Sequence, residues 1–300
     1  MQNIYSKIWG ELEKKHKLPT RARNLISLDY KEFAQKIDEE DASFANQITK
    51  SLIAGDIYIL KNAFDKKFFD DLKMNCYSYF KDQPSSFHKM LEGCPDFHRI
   101  INIETGKKYS FKMCKHSFYF YNWNNDPLNL YETTYKRWRR IKKLMGYKPD
   151  IFENNTPKDG PIDRIQVVRY PSKYGFLEPH SDPYKYQKLF ISGYMSKKGE
   201  DYVDGGFYAL NNKDEIIDVE QSIDVGDIGI GLATIVHGVA PANRKKEPSW
   251  EDQNDGRWFY SLYTNESDEV KNRHTGYGVT DKIEIDNELL FPPLEKNERI

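Results

Sequence analysis

The sequence predicts an α+β fold in which helices come first and a single β core, of sandwich or barrel type, follows them. Up to about residue 160, apolar residues recur mainly at helical spacing, and beyond it short strands alternate with turn residues. Aromatic residues make up 14% of the chain, and such residues favour strands. No internal repeat or linker-like stretch divides the 300 residues. We therefore expect one domain, with its helices packed outside one β core.

The first 55 residues are polar and charged, and their periodicity predicts a helical N-terminal extension. Apolar residues between 30 and 55 are spaced three, four or seven apart, which is typical of one amphipathic helix. They are Phe33, Ile37, Phe44, Ile48 and Leu52. Gly55 suits the helix end, and the apolar run from Ile57 to Leu60 predicts a strand.

Residues 56–160 are expected to supply further helices and supporting strands. A helix over 63–82 would bury Phe68, Leu72 and Tyr79, and residues 84–115 are expected to form a loop with short strands. Residues 117–121 predict an aromatic strand, and residues 126–147 predict another helix. The basic run in that helix, 136–143, is interpreted as a solvated face because apolar residues interleave with it.

The predicted β core occupies residues 161–265, and a C-terminal extension follows over 266–300. Candidate strands are 164–170, 188–195, 206–209, 227–231 and 257–264. Turn residues separate them, including Pro171, Asp204-Gly205 and Gly226.

Charge, cysteine content and hydropathy exclude several classes of protein. A net charge of −1 gives no reason to expect nucleic acid or an anionic membrane as a partner. The three cysteines, Cys76, Cys94 and Cys114, are too few and too far apart for a disulfide scaffold, and no C-x-x-C pair suggests structural zinc. Neither a signal-like segment nor a membrane-length apolar run is present. We therefore expect a cytoplasmic protein; its oligomeric state is left open.

The segment that carries chemistry is Glu178–Pro183, which reads EPHSDP. His180 and Asp182 are two residues apart, so on a strand their side chains leave on the same face. One imidazole nitrogen and one carboxylate oxygen could then bind a single metal ion. Such a pair arises easily by chance, so its meaning depends on residues further along the chain.

A third candidate ligand, His237, lies 55 residues after Asp182, at the end of an apolar run that begins after the turn Gly226-Asp227. Two His and one carboxylate leave three positions open on octahedral Fe(II), enough for a bidentate oxoacid and O2. A closed zinc site would need a fourth protein ligand, and the sequence offers none nearby. The three residues together therefore favour an open iron site.

Arg257 and Ser261 fall on one face of the last candidate strand. A guanidinium matches a carboxylate bidentately, and a hydroxyl can add a third hydrogen bond. This pair could hold the distal carboxylate of 2-oxoglutarate. Arg244 is the rival carboxylate binder, but the charged insertion 244–256 around it is expected to be a surface loop.

Residues 162–265 resemble the Fe(II)/2-oxoglutarate dioxygenase superfamily, in particular its prolyl-4-hydroxylase and phytanoyl-CoA hydroxylase groups. The similar stretches are RIQVVRYPSKYGFLEPHSD, DGGFYAL and VGDIGIGLATIVHGVAP, in that order. The resemblance implies a double-stranded β-helix (jelly-roll, cupin-like) core. It implies iron ligation by His180, Asp182 and His237, with Arg257 binding 2-oxoglutarate and Ser261 as a helper. Two departures are a long interval between His237 and Arg257, and Phe259 where many members carry Ser or Thr.

The resemblance implies an oxygenase that hydroxylates an unactivated C–H bond with release of succinate and CO2. A small-molecule substrate is favoured over a peptidyl side chain. Other interpretations are a cupin-like metal enzyme, such as an isomerase or a cofactor-independent dioxygenase, and a non-catalytic relative that only binds ligands. Arg169, Gln166 and Tyr119 are candidate substrate residues. The alternative for Gln166 and Tyr119 is packing, and the alternative for Arg169 is a solvent-facing position on its strand. The remaining histidines are expected to be ordinary surface or core residues; they are His16, His88, His98, His116 and His274.

Overall fold

The computed structural model describes residues 3–273 and 276–279, together with the backbone of 284–285 and 288–289. Six α-helices occur in this part of the chain: α1 Ile4–Lys15, α2 Tyr30–Asp38, α3 Ala42–Ile53, α4 Lys66–Phe80, α5 Ile103–Gly106 and α6 Tyr131–Leu144. The first strands are β1 Leu25–Asp29, β2 Ile57–Lys61, β3 Phe97–Ile101 and β4 Met113–Phe120. The core strands are β5 Pro161–Tyr170, β6 Phe176–Ser181, β7 Leu189–Tyr194, β8 Gly206–Leu210, β9 Ile216–Asp218, β10 Ile228–Leu232, β11 His237–Ala240 and β12 Arg257–Glu266. Three short strands come last, β13 Tyr277–Gly278, β14 Glu284–Ile285 and β15 Glu288–Leu289.

Eight of these strands form two antiparallel layers with the order of a jelly roll. One layer is β10-β7-β12-β5 and the other is β6-β11-β8-β9, and β4 pairs with both β5 and β6. This arrangement confirms the predicted double-stranded β-helix with flanking helices. The five core strands predicted from turn spacing correspond to β5, β7, β8, β10 and β12.

The N-terminal segment does more than cover the core with helices. Strand β1 pairs in parallel with β2, and β2 continues the larger layer by pairing antiparallel with β10. The sequence analysis did not predict β1. Ser27 and Asp29 interrupt its apolar residues and are exposed, so this segment lacks the continuous apolar run that marked β2.

The single helix predicted between residues 30 and 55 is two helices. Glu40 adopts a positive φ of 54°, which breaks the run, and the Asp41 side chain accepts a hydrogen bond from the Phe44 N–H at 2.8 Å. This cap begins α3, because an aspartate can satisfy an amide that a continuous helix would have paired internally. Apolar periodicity alone does not register such a break.

The buried face of α4 is shifted by one position from the prediction at both ends, with Phe69 in place of Phe68 and Phe80 in place of Tyr79. Phe69, Leu72, Cys76 and Phe80 are buried, whereas Tyr79 is 39% exposed. The observed spacing of three and four residues is that of one helical stripe. Of the predicted residues, Leu72 lies on this stripe, whereas Phe68 and Tyr79 lie on the adjacent side of the helix.

The basic run on α6 is only partly a solvated face. Lys142 is buried and forms an ion pair with Asp163 on β5, and its ammonium donates to the Ile151 carbonyl at 2.6 Å. Arg140 pairs with Asp38 at the end of α2 at 2.7 Å. These contacts fasten α6 to the β core and to α2.

All three cysteines are buried and unpaired, as expected from their spacing. Within the described residues, no helix has the length and apolar character needed to cross a membrane. Most of the predicted C-terminal extension, including His274, lies outside the described residues.

Candidate metal centre and its cavity

Three side chains converge where β6 meets β11. The pairing of these strands places His180 directly opposite His237, and Asp182 comes one residue after the end of β6. The His180 Nε2 lies 3.8 Å from one Asp182 oxygen, and the His237 Nε2 lies 3.7 Å from the other. All the potential ligand atoms are within 4.8 Å of one another. The structure thus brings together the three residues that the sequence proposed as ligands.

Both imidazoles are held by their backbone neighbours. The His180 Nδ1 donates to the Glu178 carbonyl at 2.8 Å, and the His237 Nδ1 donates to the Ile235 carbonyl at 2.9 Å. A carbonyl can only accept, so in both rings Nδ1 carries the proton and Nε2 keeps its lone pair. Outer partners of this kind are what metal-ligating histidines use to fix their tautomer.

The donor set fits a divalent metal ion with open coordination positions. Two ligand atoms at about 2.1 Å from one ion are at most about 4.2 Å apart, and both Nε2–Oδ distances fall below that limit. Among the described residues this is the one group of three potential His, Cys, Asp or Glu ligands. Two nitrogens and one carboxylate are the facial ligand set of non-haem Fe(II) sites.

The electrostatics of the site suit a cation. Burial, and then the neighbouring His237, lowers the pKa of His180 well below its ordinary value, so its ring is neutral near pH 7. Burial raises the pKa of Asp182, while His237, Arg164, Lys115 and a hydrogen bond from Tyr263 act in the opposite direction. A bound metal ion would add its own charge and favour the ionised carboxylate.

The triad lies in the wall of a cavity of about 300 Å3 between the two layers of the jelly roll. Phe111 stacks on the His180 ring with centroids 4.4 Å apart, and Phe190 and Phe207 flank His237 at 5.0 and 5.4 Å. These rings make one side of the site apolar. The volume is at the lower end of the range of small-ligand sites.

Three of the other residues proposed from the sequence line this cavity: Gln166, Tyr119 and Ser261. Gln166 stands opposite Tyr119 in the β4–β5 pair and opposite Ser261 in the β5–β12 pair. Their side chains therefore form one row across three strands. The Gln166 amide donates to the Ser117 hydroxyl at 3.0 Å.

Arg257 does not line this cavity, contrary to the expectation from the sequence. Its side chain is buried in an ion pair with Glu220, in which its Nε lies 2.9 Å from both carboxylate oxygens. Burial by itself would lower the pKa of Arg257, but the charge and hydrogen bonds of Glu220 hold it above its ordinary value. The strand pattern identified the correct face of β12, but not the partner that a separate segment supplies. Arg244, the rival residue, pairs with Asp204 at 3.1 Å in the loop region, away from the triad.

Arg169 is neither a cavity residue nor a solvent-facing one. It is fully buried and donates hydrogen bonds to the carbonyls of Trp250, at 2.8 Å, and Asp252. On β5 the cavity-facing residues are Arg164, Gln166, Val168 and Tyr170, so alternation turns Arg169 to the opposite side. It anchors the 244–256 insertion to the back of the sheet.

Sequence reasoning missed several polar residues of the cavity, namely Lys115, Arg164, Tyr263 and Arg273. Arg164 could have been found, because it is two residues before Gln166 on a predicted strand and so shares its face. Lys115 carried no such signal, since its segment had no clear periodicity. Among the other described histidines, His98 and His116 form a buried hydrogen bond at 2.8 Å, which fits the expected core role.

The sequence matches no protein-family model and no curated protein. Solved structures do match. One is a prolyl-4-hydroxylase from Pseudomonas putida, with a TM-score of 0.47 and 11% identity, covering 74% of this chain and 96% of that one. Another is a full-length protein from Neurospora crassa in complex with alpha-KG, with a TM-score of 0.49 and 14% identity, covering 83% of this chain and 89% of that one.

A prolyl hydroxylase from Trichoplax adhaerens, in complex with a peptide fragment of hypoxia inducible factor, is similar with a TM-score of 0.44 and 13% identity, covering 78% of this chain and 92% of that one. A protein from Caulobacter crescentus described as a putative 2OG-Fe(II) oxygenase family protein matches with a TM-score of 0.42, 14% identity and coverage of 83% and 88%. All four of these structures have TM-scores below 0.5 and are at most 14% identical to this chain.

Proposed function

We propose that this protein is an Fe(II)- and 2-oxoglutarate-dependent dioxygenase that hydroxylates an unactivated C–H bond of a small molecule, with release of succinate and CO2. The observation that carries the proposal is the convergence of His180, Asp182 and His237 on one point of the jelly-roll cavity, with the lone pair of each Nε2 available to a metal ion. The motif order in the sequence supports 2-oxoglutarate as the co-substrate.

Iron would be held by the two Nε2 atoms and the Asp182 carboxylate. It would supply the chemistry that activates O2, with the oxoacid as co-substrate. The protein's own part is orientation and exclusion of water. The Glu178 and Ile235 carbonyls keep the imidazoles in the metal-binding tautomer, and the Tyr263 hydroxyl donates to Asp182. Phe111, stacked on His180, closes one side of the site.

The small-molecule substrate is supported by the size of the cavity, which is about 300 Å3 and lies between the two layers. A peptidyl side chain is the second candidate, because Phe87, which lines the same cavity, is 59% exposed and could contact a larger partner. Screening amino acids, nucleobases and short peptides for stimulated succinate release would separate these substrate classes. The cytoplasmic location stays a prediction, and three buried free thiols are compatible with it.

The first test is spectroscopic. Anaerobic addition of Fe(II) and 2-oxoglutarate to the protein should give the visible charge-transfer band of an oxoacid chelated to iron, and exposure to air should form succinate. His180→Ala should lose both signals, because one of the three ligands is gone. Absence of the band and of succinate in the wild-type protein would refute the proposal.

The same experiment separates the other enzyme classes. A cupin-like isomerase or cofactor-independent dioxygenase would bind a metal at the triad but would show no oxoacid band and no succinate. A non-catalytic relative could show the band without turnover. Isothermal titration of Mn(II) into wild-type protein and into His237→Ala tests the metal site without any turnover.

A further inference from the structure

The Arg257 guanidinium already forms an ion pair within this chain, with the Glu220 carboxylate. Glu220 binds it through both oxygens, and the Tyr202 hydroxyl donates to the same carboxylate. Gly206 leaves room for this group, since a Cβ there would overlap the Glu220 carboxylate. All four residues are buried. Glu220 binds the Nε and Nη2 of Arg257, and only Nη1 has no hydrogen-bond partner among the described residues. An acidic ligand could therefore reach Arg257 only at Nη1, unless it displaced Glu220.

Aromatic rings also separate Arg257 from the metal centre. The Phe207 ring is 5.4 Å from the His237 ring and 6.2 Å from the Phe259 ring, and the Phe259 ring is 4.8 Å from the Arg257 guanidinium. The contacts thus run from His237 to Phe207, then to Phe259 and then to Arg257, so two aromatic rings lie between the triad and Arg257. Phe207 and Phe259 line the cavity, whereas Arg257 lies behind them.

Four cations line the cavity among the described residues. Arg273 pairs with Asp268, and Arg99 stacks on Phe87 and Tyr109, which leaves Arg164 and Lys115. The Arg164 guanidinium lies between the rings of Tyr119 and Tyr263, at 5.4 and 5.2 Å, and its buried Nε has no hydrogen-bond partner among the described residues. Within the described part of the chain, neither Arg164 nor Lys115 forms an ion pair, because no carboxylate oxygen lies within 4.0 Å of its charged nitrogens. Burial, and then the charge of Arg164, lowers the pKa of Lys115 to about 8. Both cations are therefore suited to an acidic ligand.

Polar side chains lie next to Arg164 on the floor of the cavity. Ser261 is paired with Gln166 on one side and with Ser192 on the other, and all three line the cavity. Two residues along from Ser261 on β12, Tyr263 is paired with Arg164. The Tyr263 hydroxyl in turn donates to Asp182, so the guanidinium and the polar row both lie beside the triad.

We propose that Arg164, with Lys115 as a second cation and Ser261 as a hydroxyl partner, binds a carboxylate or phosphate group of the ligand in the role that the motif pattern would assign to Arg257. The inference deepens the proposed function and rests on it. The anionic group has two sources, the distal carboxylate of 2-oxoglutarate or an acidic group of the substrate. A planar guanidinium held between two rings is well suited to bind either group bidentately.

The test uses the Mn(II)-loaded protein, so no turnover is needed. 2-Oxoglutarate and 2-oxopentanoate, which has a methyl group in place of the distal carboxylate, are titrated calorimetrically into wild type, Arg164→Gln and Arg99→Gln. Inorganic phosphate is titrated into the same proteins after saturation with 2-oxoglutarate. Arg99→Gln is the matched control, because it removes one charge from a cavity residue that stacks on Phe87 and Tyr109, apart from the row.

If Arg164 binds the distal carboxylate, Arg164→Gln should weaken 2-oxoglutarate roughly 10- to 100-fold and leave 2-oxopentanoate unchanged, as expected for loss of a charge-assisted hydrogen bond. Arg164→Lys should recover part of the loss. If the group belongs to the substrate, 2-oxoglutarate binding should be unchanged and phosphate binding should fall by a similar factor. Either result supports the site.

Unchanged affinity for both probes in Arg164→Gln would overturn the inference, and so would an equal loss in Arg99→Gln. An unchanged Mn(II) affinity and melting temperature show that the variant is folded. If wild type binds neither Mn(II) nor 2-oxoglutarate, the proposed function fails separately. The anion site is then judged on phosphate binding to the metal-free protein, which must depend on Arg164 for the inference to stand.

Discussion

At the scale of single residues, the site has two features. Its candidate metal ligands are held rigidly, and two cations lie close together in the cavity wall. The backbone carbonyls of Glu178 and Ile235 fix both imidazoles, so the metal-binding atoms need little reorganisation. Lys115, in contrast, is held near Arg164 at a cost in stability, because burial and like charge both disfavour its ammonium form. Such a cost is typical of residues kept for binding.

Lys115→Met should therefore stabilise the protein at pH 7. The folded-state pKa of Lys115 is about 8 and the ordinary value is 10.5, so the unfolded chain binds more protons between these values. The gain, on the order of 1 to 2 kcal/mol after allowing for screening, should be present below pH 8 and vanish as the pH rises toward 10.5. Urea unfolding at a series of pH values from neutral to the ordinary lysine pKa measures it. A gain that is independent of pH would contradict the stated cause.

Glu220→Ala should be among the most destabilising single substitutions. It would leave the Arg257 guanidinium buried without its carboxylate, which costs about 3 to 5 kcal/mol. Urea unfolding should show this loss, and the double substitution Glu220→Met with Arg257→Met should recover much of it. Wild-type stability in Glu220→Ala, or tighter 2-oxoglutarate binding, would show that Arg257 is available to ligands after all.

At the scale of elements, two segments outside the jelly roll complete it. β4 connects the two layers by pairing with β5 and β6, and β2 covers the outer edge of β10. The insertion 244–256 is held against the sheet by Arg169, a residue that the period-two pattern alone could not assign to a partner. Loops held in this way keep their shape because a buried guanidinium satisfies their carbonyls.

Arg169→Met should release the insertion without unfolding the core. The Asp252 carbonyl would lose the Arg169 guanidinium as its donor, and the Trp250 carbonyl would keep only the Tyr77 hydroxyl. Trypsin should therefore cut faster after the three basic residues at 244–246. Limited proteolysis with mass spectrometry measures the rate. Lys173→Met is the control, because Lys173 also contacts the insertion, through Glu247, but in a partly exposed ion pair that contributes little. Equal cleavage rates in both variants would refute the anchoring role.

At the scale of the whole molecule, the metal site ties distant parts of the chain together. Asp182 and His180 come from the end of β6, and His237 comes from β11 after β7 to β10 have been completed. The ligands meet only in the folded chain, so a metal ion that binds them must stabilise the fold.

Saturating Mn(II) should therefore raise the melting temperature of the wild-type protein. At about 100 times the dissociation constant the stabilisation is about 2.7 kcal/mol, which corresponds to a shift of about 4 °C in melting temperature for a chain of this size. Differential scanning fluorimetry with and without EDTA measures the shift. Asp182→Ala and His237→Ala should show none, and a shift that persists in both would place the metal elsewhere.

The local patterns were sufficient where neighbouring residues decide the outcome. Strand spacing, glycine turns and the H-x-D pair identified five core strands and contributed to the choice of three candidate ligands, because alternation on a strand is a local property. The break at Glu40 and the one-residue error on α4 show the limit of the same patterns, since capping and burial competed with periodicity there.

Partners across the fold could not be predicted in this way. The sequence by itself was enough to predict His180, Asp182 and His237 as a candidate metal-binding set and to place a guanidinium on the last core strand. Only the tertiary structure decided that Glu220 forms an ion pair with Arg257 and that Arg169 faces the insertion. It also decided that Arg164 and Lys115 face the cavity. The reason is physical: the face on which a side chain lies follows from its own strand, but the charge it meets comes from segments tens of residues away, brought there by the packing of the two layers.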